Sequence, residues 1–159
     1  MTLPISQIDQ DPGLREKAKA LTLEQLKTDK IQTLIDDMIP TMYKADGIGL
    51  AAPQVGQSLR ITVIAITDDE QLILVNPEIT FMSKKTQTME EGCLSVPNLK
   101  GPVERADKIR FKAWDRDGKP FKMKAKGMLA RVVQHELDHL NGVLFIDHVA
   151  KEDLKRTND

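Results

Sequence analysis

Apolar positions along the chain follow two different periods. Ile31, Leu34, Ile35, Met38 and Met42 recur at helical spacing and predict an N-terminal helix. Thr22 with Gln25 three residues on forms a capping-box signal for its start, and Asp29 is a rival start. Pro40 breaks the pattern and predicts a kink or a loose last turn, with the helix over by Asp46-Gly47. A second helical stripe runs through Leu129, Val132, Val133, Leu137 and Leu140, with Gly142 placed as its stop. Between the two helices the period shortens. Residues 59–66 and 72–75 read as strands about a turn at Asp68-Asp69, and a further strand is expected within 78–89. Ile109, Phe111 and Ala113 alternate with polar residues, as do Phe121, Met123 and Ala125, so the Asp117-Gly118 turn joins a hairpin. Residues 1–21 read as irregular and 151–159 as a frayed polar tail. Strands clustered between helices predict an α+β class.

Composition narrows the picture. A chain of 159 residues predicts a single domain over 1–159. A net charge of −1 carries no sign of a nucleic-acid footprint, and no apolar run reaches membrane-spanning length. The N-terminus lacks the pattern of a secretory leader. A lone cysteine, Cys93, excludes an internal disulfide and fits a reducing, cytoplasmic compartment.

The chemistry concentrates in Gln134-His135-Glu136-Leu137-Asp138-His139. His135 and His139 are four apart, so on a helix both imidazoles face one way and can bind one cation. Glu136 lies about 100° round the helix, placed to act on a water beside that cation without ligating it. The arrangement is HExxH, and its apolar flanks would anchor it rigidly. Two further stretches stand out. Gly47 to Gly56, GIGLAAPQVG, lacks the Lys-Ser/Thr of a phosphate loop and follows a helix, so by itself it reads as a helix-to-strand turn. Glu91-Gly92-Cys93-Leu94-Ser95 contains the lone cysteine. A catalytic cation needs a third protein ligand. Downstream, Phe145 stands where HExxHxxGxxH needs a histidine, His148 is displaced, and Glu152 and Asp153 fall in the polar tail. Cys93 is the best remaining third ligand.

Taken together, GIGLAAPQ (47–54), EGCLS (91–95) and QHELDH (134–139) resemble the three signature motifs of the peptide deformylases. The likeness extends from the first long helix to Phe145. It implies an α+β fold of mixed, mostly antiparallel sheets around the central HExxH helix. It implies a hydrolase that removes the formyl group from the formyl-methionine of nascent polypeptides, releasing formate. Cys93, His135 and His139 would hold one divalent metal. The donor types alone suggest zinc, whereas the family implies Fe²⁺, with Zn²⁺, Ni²⁺ or Co²⁺ able to substitute. Glu136 would serve as general base and then acid. By the same resemblance, the Gln54 side-chain amide and the Leu94 backbone N–H would stabilise the oxyanion. Gly47 and Gly49 would admit the substrate backbone, and Ile48, Met128 and Val132 would line the methionine pocket. Glu91 and Arg105 would form a supporting ion pair beneath the cysteine loop. The partners implied are formyl-methionyl peptides and a transient ribosome contact, with no direct nucleic acid, no membrane and a monomeric state; a mature organellar form fits as well as a bacterial cytoplasmic one. Lys100 replaces an arginine found near the peptide in some members, and the short tail puts stable ribosome docking in doubt. Two alternatives stay open: an HExxH metallopeptidase, in which Cys93 would be idle, and a non-catalytic descendant of the fold.

Overall fold

The computed structural model describes residues 1–157 and contains two antiparallel sheets and three helices among them. α1 (Leu23–Leu26) and α2 (Asp29–Lys44) replace the one helix expected from Thr22. Both start signals are used: Thr22 and Gln25 close a capping box on α1, and the Thr28 hydroxyl caps α2. α2 continues past Pro40 to Lys44. There the Thr41 hydroxyl donates to Asp37 O at 2.6 Å and accepts from Leu3 N–H at 2.9 Å, pinning the N-terminal segment to the interrupted turn.

The larger sheet has the order β1-β2-β3-β6-β7, from β1 (Gly49–Ala51), β2 (Ile61–Ala65), β3 (Gln71–Met82), β6 (Lys108–Trp114) and β7 (Pro120–Lys126). β2 reads as a nearly continuous apolar run because both its faces are covered. Ile61 and Val63 pack with Ile31, Ile35 and Met38 of α2, while Ile64 packs with Val133 and Leu137 of α3 (Gly127–Leu140) on the other face. α3 ends where Gly142, at φ 74°, turns the chain. The smaller sheet, β4-β5-β8, comprises β4 (Thr86–Cys93), β5 (Val96–Ala106) and β8 (Lys155–Arg156).

Three expectations need correction, and one strand, β5, was not expected at all. The strand placed within 78–89 is two strands in different sheets: β3 ends at Met82 and β4 begins at Thr86. β5 gave no strand signal, because Pro97, Gly101 and Pro102 interrupt its pattern; it forms through pairing with β4 over Ala106 to Val96. Residues 1–21 contain a 3-10 turn at Pro12–Arg15, and Leu14, Ala18 and Leu21 are buried in the core. The tail is not frayed through Thr157: Leu154 packs beside Val103 and Phe145, and β8 pairs with Leu99 and Lys100. The rest of the expected fraying, at Asn158 and Asp159, lies outside the described residues.

Candidate metal centre

α3 supplies the scaffold. Arg131, His135 and His139 are spaced by four and share a face. A two-residue turn, Leu94-Ser95, places Cys93 opposite Val96 at the tip of the β4–β5 hairpin. Cys93 Sγ thereby lies 3.3 Å from His139 Nε2, and the donor atoms of Cys93, His135 and His139 all lie within 4.8 Å of one another. With metal–sulfur and metal–nitrogen bonds of about 2.3 and 2.0–2.1 Å, such spacings suit one cation. His148 stands apart, 2.9 Å from Asp138 Oδ2.

Beneath the hairpin a buried ion network orients this face. His135 Nδ1 lies 2.8 Å from Glu91 Oε1, which leaves its Nε2 for a cation. Arg105 donates to both Glu91 oxygens at 3.0 Å, and Arg131 Nη1 donates to Oε2 at 2.5 Å. The Glu91–Arg105 pair is therefore buried, not a surface pair, with side chains 6% and 5% exposed. Arg105 also donates to Asp138 at 2.6 Å. Sequence reasoning missed Arg131 and Asp138. A charged residue four before His135, inside an otherwise apolar helix face, was the available signal for Arg131.

Gln54 sits in a 3-10 turn, Ala52–Val55, directly after β1. Its Oε1 accepts from Ala51 N–H at 2.9 Å, which turns Nε2 towards Ser95 Oγ at 3.2 Å and Cys93 Sγ at 3.6 Å. Gly47, Ile48, Gly49, Met128 and Val132 line a cleft of about 670 Å³ that also exposes Cys93, Leu94, Glu136 and Lys100. A Cβ on Gly49 would meet Glu136 Oε2 at 2.5 Å and its Cγ at 2.9 Å, so a side chain there would displace the carboxylate, whereas one on Gly47 would meet only the mobile end of Leu94, Cδ1, at 2.9 Å. Ile48 and Met128, 54% and 51% exposed, form an apolar rim.

The electrostatics treat the two imidazoles oppositely. Burial lowers the affinity of His135 for a proton, but the Cys93 and Glu91 side chains and the Glu136 charge override it and raise its pKa to about 10. His139 is driven well below its usual value, by burial first and then by the His135 charge. Glu91, although buried, is held far below the usual carboxylate range by His135 and Arg105. Burial raises Glu136 to about 7; the His135 and Arg105 charges oppose the rise, and Glu91 and Asp138 add to it. Glu136 Oε1 is buried with no hydrogen-bond partner among the described residues. A thiolate and two imidazoles beside an unpartnered carboxylate fit a divalent cation with an open position.

The sequence model of the polypeptide deformylase family matches residues 3–155. A peptide deformylase of Dictyoglomus thermophilum is 52% identical over 145 residues, which cover 91% of this chain and 92% of that protein. The crystal structure of a peptide deformylase from Legionella pneumophila superposes with a TM-score of 0.89 at 46% identity, covering 96% of this chain and 88% of that one. A peptide deformylase from Synechococcus elongatus in complex with actinonin superposes with a TM-score of 0.87 at 41% identity, covering 94% and 79%. Sequence, fold and metal-ligand geometry agree, and the chain belongs to the polypeptide deformylase family.

Proposed function

We propose that this chain hydrolyses the N-formyl group of formyl-methionyl peptides from nascent chains, with Cys93, His135 and His139 holding one divalent cation. The observation that carries the reading is the donor cluster beside the unpartnered, buried Glu136. When bound, the cation supplies Lewis acidity, polarising the formyl oxygen and lowering the pKa of water. Fe²⁺ is the ion we assign, with Zn²⁺, Ni²⁺ and Co²⁺ as substitutes.

The chain's own residues do the rest. Glu136, raised to about 7, accepts the proton of the attacking water and returns it to the departing amine nitrogen. As charge gathers on the formyl oxygen, Gln54 Nε2 and the Leu94 N–H donate to it. The Gln54 amide is already oriented by Ala51, so little reorganisation opposes the step. Gly47 and Gly49 let the peptide backbone approach, while Ile48, Met128 and Val132 receive the methionine side chain. Arg105 and Arg131 hold Glu91, which holds His135. The metallopeptidase alternative lacks a downstream ligand among the described residues, since His148 is engaged by Asp138. As part of the same proposal the chain works as one domain and as a monomer. The test is formate release from a short formyl-methionyl peptide by anaerobically iron-loaded protein. Release by the parent and its loss in Glu136→Ala with metal retained are expected; no release by fully loaded parent overturns the assignment.

A further inference from the structure

The larger sheet has one face that α2 only half covers. On that face β6 exposes Lys108, Arg110 and Lys112, and β7 exposes Lys122, Lys124 and Lys126. The register sets them directly opposite one another: Lys108 faces Lys126, Arg110 faces Lys124 and Lys112 faces Lys122. Like charges opposed across an antiparallel pair destabilise it, so three successive such pairs are a cost the fold carries. Protecting the edge strand β7 does not require them, because charges of either sign would serve there and β6 is paired on both sides. Lys112 meets Glu78 at 3.5 Å, and the other five cations form no ion pair among the described residues. The whole-chain charge of −1 conceals this segregation.

An aromatic platform adjoins the cations. Phe81, on β3, is 48% exposed, and the Arg110 guanidinium lies 5.2 Å from its ring centre. Phe81 borders a shallow depression of about 380 Å³ lined by Lys108, Arg110, Lys124 and Lys126, whose aliphatic stems flank the strand backbone at Ile109 and Ala125. Such a slot beside an exposed ring, within a ring of cations, matches a base with its flanking phosphates. The stripe continues beyond the slot to Lys112 and Lys122, a length of about 14 Å along the strand, which favours a polymer over a mononucleotide. Its buried side packs on α3, so the face does not open into the catalytic cleft, yet Lys126 ends two residues before Met128 at the cleft rim.

We infer that the exposed face of the β6–β7 hairpin, with Phe81, binds single-stranded RNA by phosphate contacts and base stacking. This departs from the expectation drawn from net charge, and it stands independently of the reaction in the cleft.

The test uses the metal-loaded full chain and a fluorescein-labelled, unstructured single-stranded RNA, followed by anisotropy against salt. Binding at low salt is expected, with log K falling against log salt at a slope of about −3.5 for five cations on a single strand. Lys122→Glu with Lys124→Glu should weaken binding at least tenfold and raise the melting temperature, because carboxylates would then oppose Lys112 and Arg110. Formate release from a short free peptide should stay at the parent rate. Phe81→Ala should weaken binding severalfold with the slope unchanged. Lys124→Gln, which reverses no charge, should reduce the slope by about 0.7. Absence of binding by the parent at low salt, or unchanged binding by the double variant, overturns the proposal. Binding to phosphatidylserine vesicles without binding to RNA also overturns it and assigns the face to membranes.

Discussion

The role proposed for Glu136 sets two demands: burial for a tuned proton affinity, and freedom from hydrogen bonds that would hold its charge elsewhere. Glu136→Gln should therefore keep the metal and lose formate release by about 10²–10⁴-fold, measured on metal-quantified protein. Its pKa in the folded, metal-free protein is raised to about 7 from an ordinary 4.5. The stabilisation tied to that rise is complete below about 4.5 and is lost as pH climbs through about 7. Metal-free Glu136→Gln should accordingly gain stability over the parent at pH 8 and lose that advantage at pH 4, as read by thermal denaturation. Gly49 is constrained by the same carboxylate, because a Cβ there would displace Glu136. Gly49→Ala should lower kcat by at least tenfold while cation binding persists, as equilibrium dialysis would show. Arg131 acts through Glu91 on His135. Arg131→Ala should weaken metal affinity about 10–100-fold and alter the visible spectrum of the Co²⁺ form. It should also cost about 3–5 kcal/mol of stability by leaving a buried carboxylate under-paired. A change in rate with an unaltered spectrum would refute its positioning role.

At the scale of elements, the site depends on where one hairpin meets one helix. α3 carries His135, Glu136 and His139, but Cys93, Leu94 and Glu91 come from β4 and the following turn. β5 holds β4 in place, and the C-terminal segment covers β5. A Cβ on Gly101 would lie 2.7 Å from Val149 Cγ1, so this strand and the tail are packed without spare room. Leu154 adds its side chain to the small core of Val96, Val103, Leu144 and Phe145. Leu154→Ala should cost about 1–2 kcal/mol in urea denaturation, since the side chain is only partly buried. Pro77 shows the same logic in β3: it sits beside the bulge at Asn76, whose side chain bonds Leu21 through both N–H and C=O at 2.9 and 2.8 Å. One irregularity thus shifts the register of β3 against β6 and anchors the segment before α1.

Across the whole molecule, α3 lies against one face of the larger sheet and against the β4–β5 hairpin, so the cation ligands bridge units distant in sequence. A cation that binds only the folded arrangement must stabilise it by mass action. At a free Co²⁺ concentration about 1,000 times its dissociation constant, stability should rise by about 4 kcal/mol, and the melting temperature should rise with Co²⁺ concentration. Cys93→Ala should abolish most of that rise. Equal cation-dependent shifts in parent and variant would remove Cys93 from the ligand set. Among the described residues no helix is long and apolar enough to cross a membrane.

Local patterning determined the helices at Asp29–Lys44 and Gly127–Leu140, the β6–β7 hairpin and the α+β class, because periodicity and caps act within a few residues. The HExxH pair was legible for the same reason, since helix geometry alone brings positions four apart to one face, whereas the stretches at 47–54 and 91–95 gained meaning only from their resemblance to a family. Other features were settled only by tertiary structure. β5 and β8 exist because partners complete their hydrogen bonds, which no local propensity encodes. The Arg131–Glu91–Arg105 network, the bond from Gln54 to Ser95 and the close approach of Gly49 to Glu136 join residues at least 14 apart in the chain. The opposed cations of β6 and β7 were visible as letters, but only strand register made them one face. Long-range pairing is what converts such scattered residues into a site, and it is the part of the physics that a one-dimensional pattern does not contain.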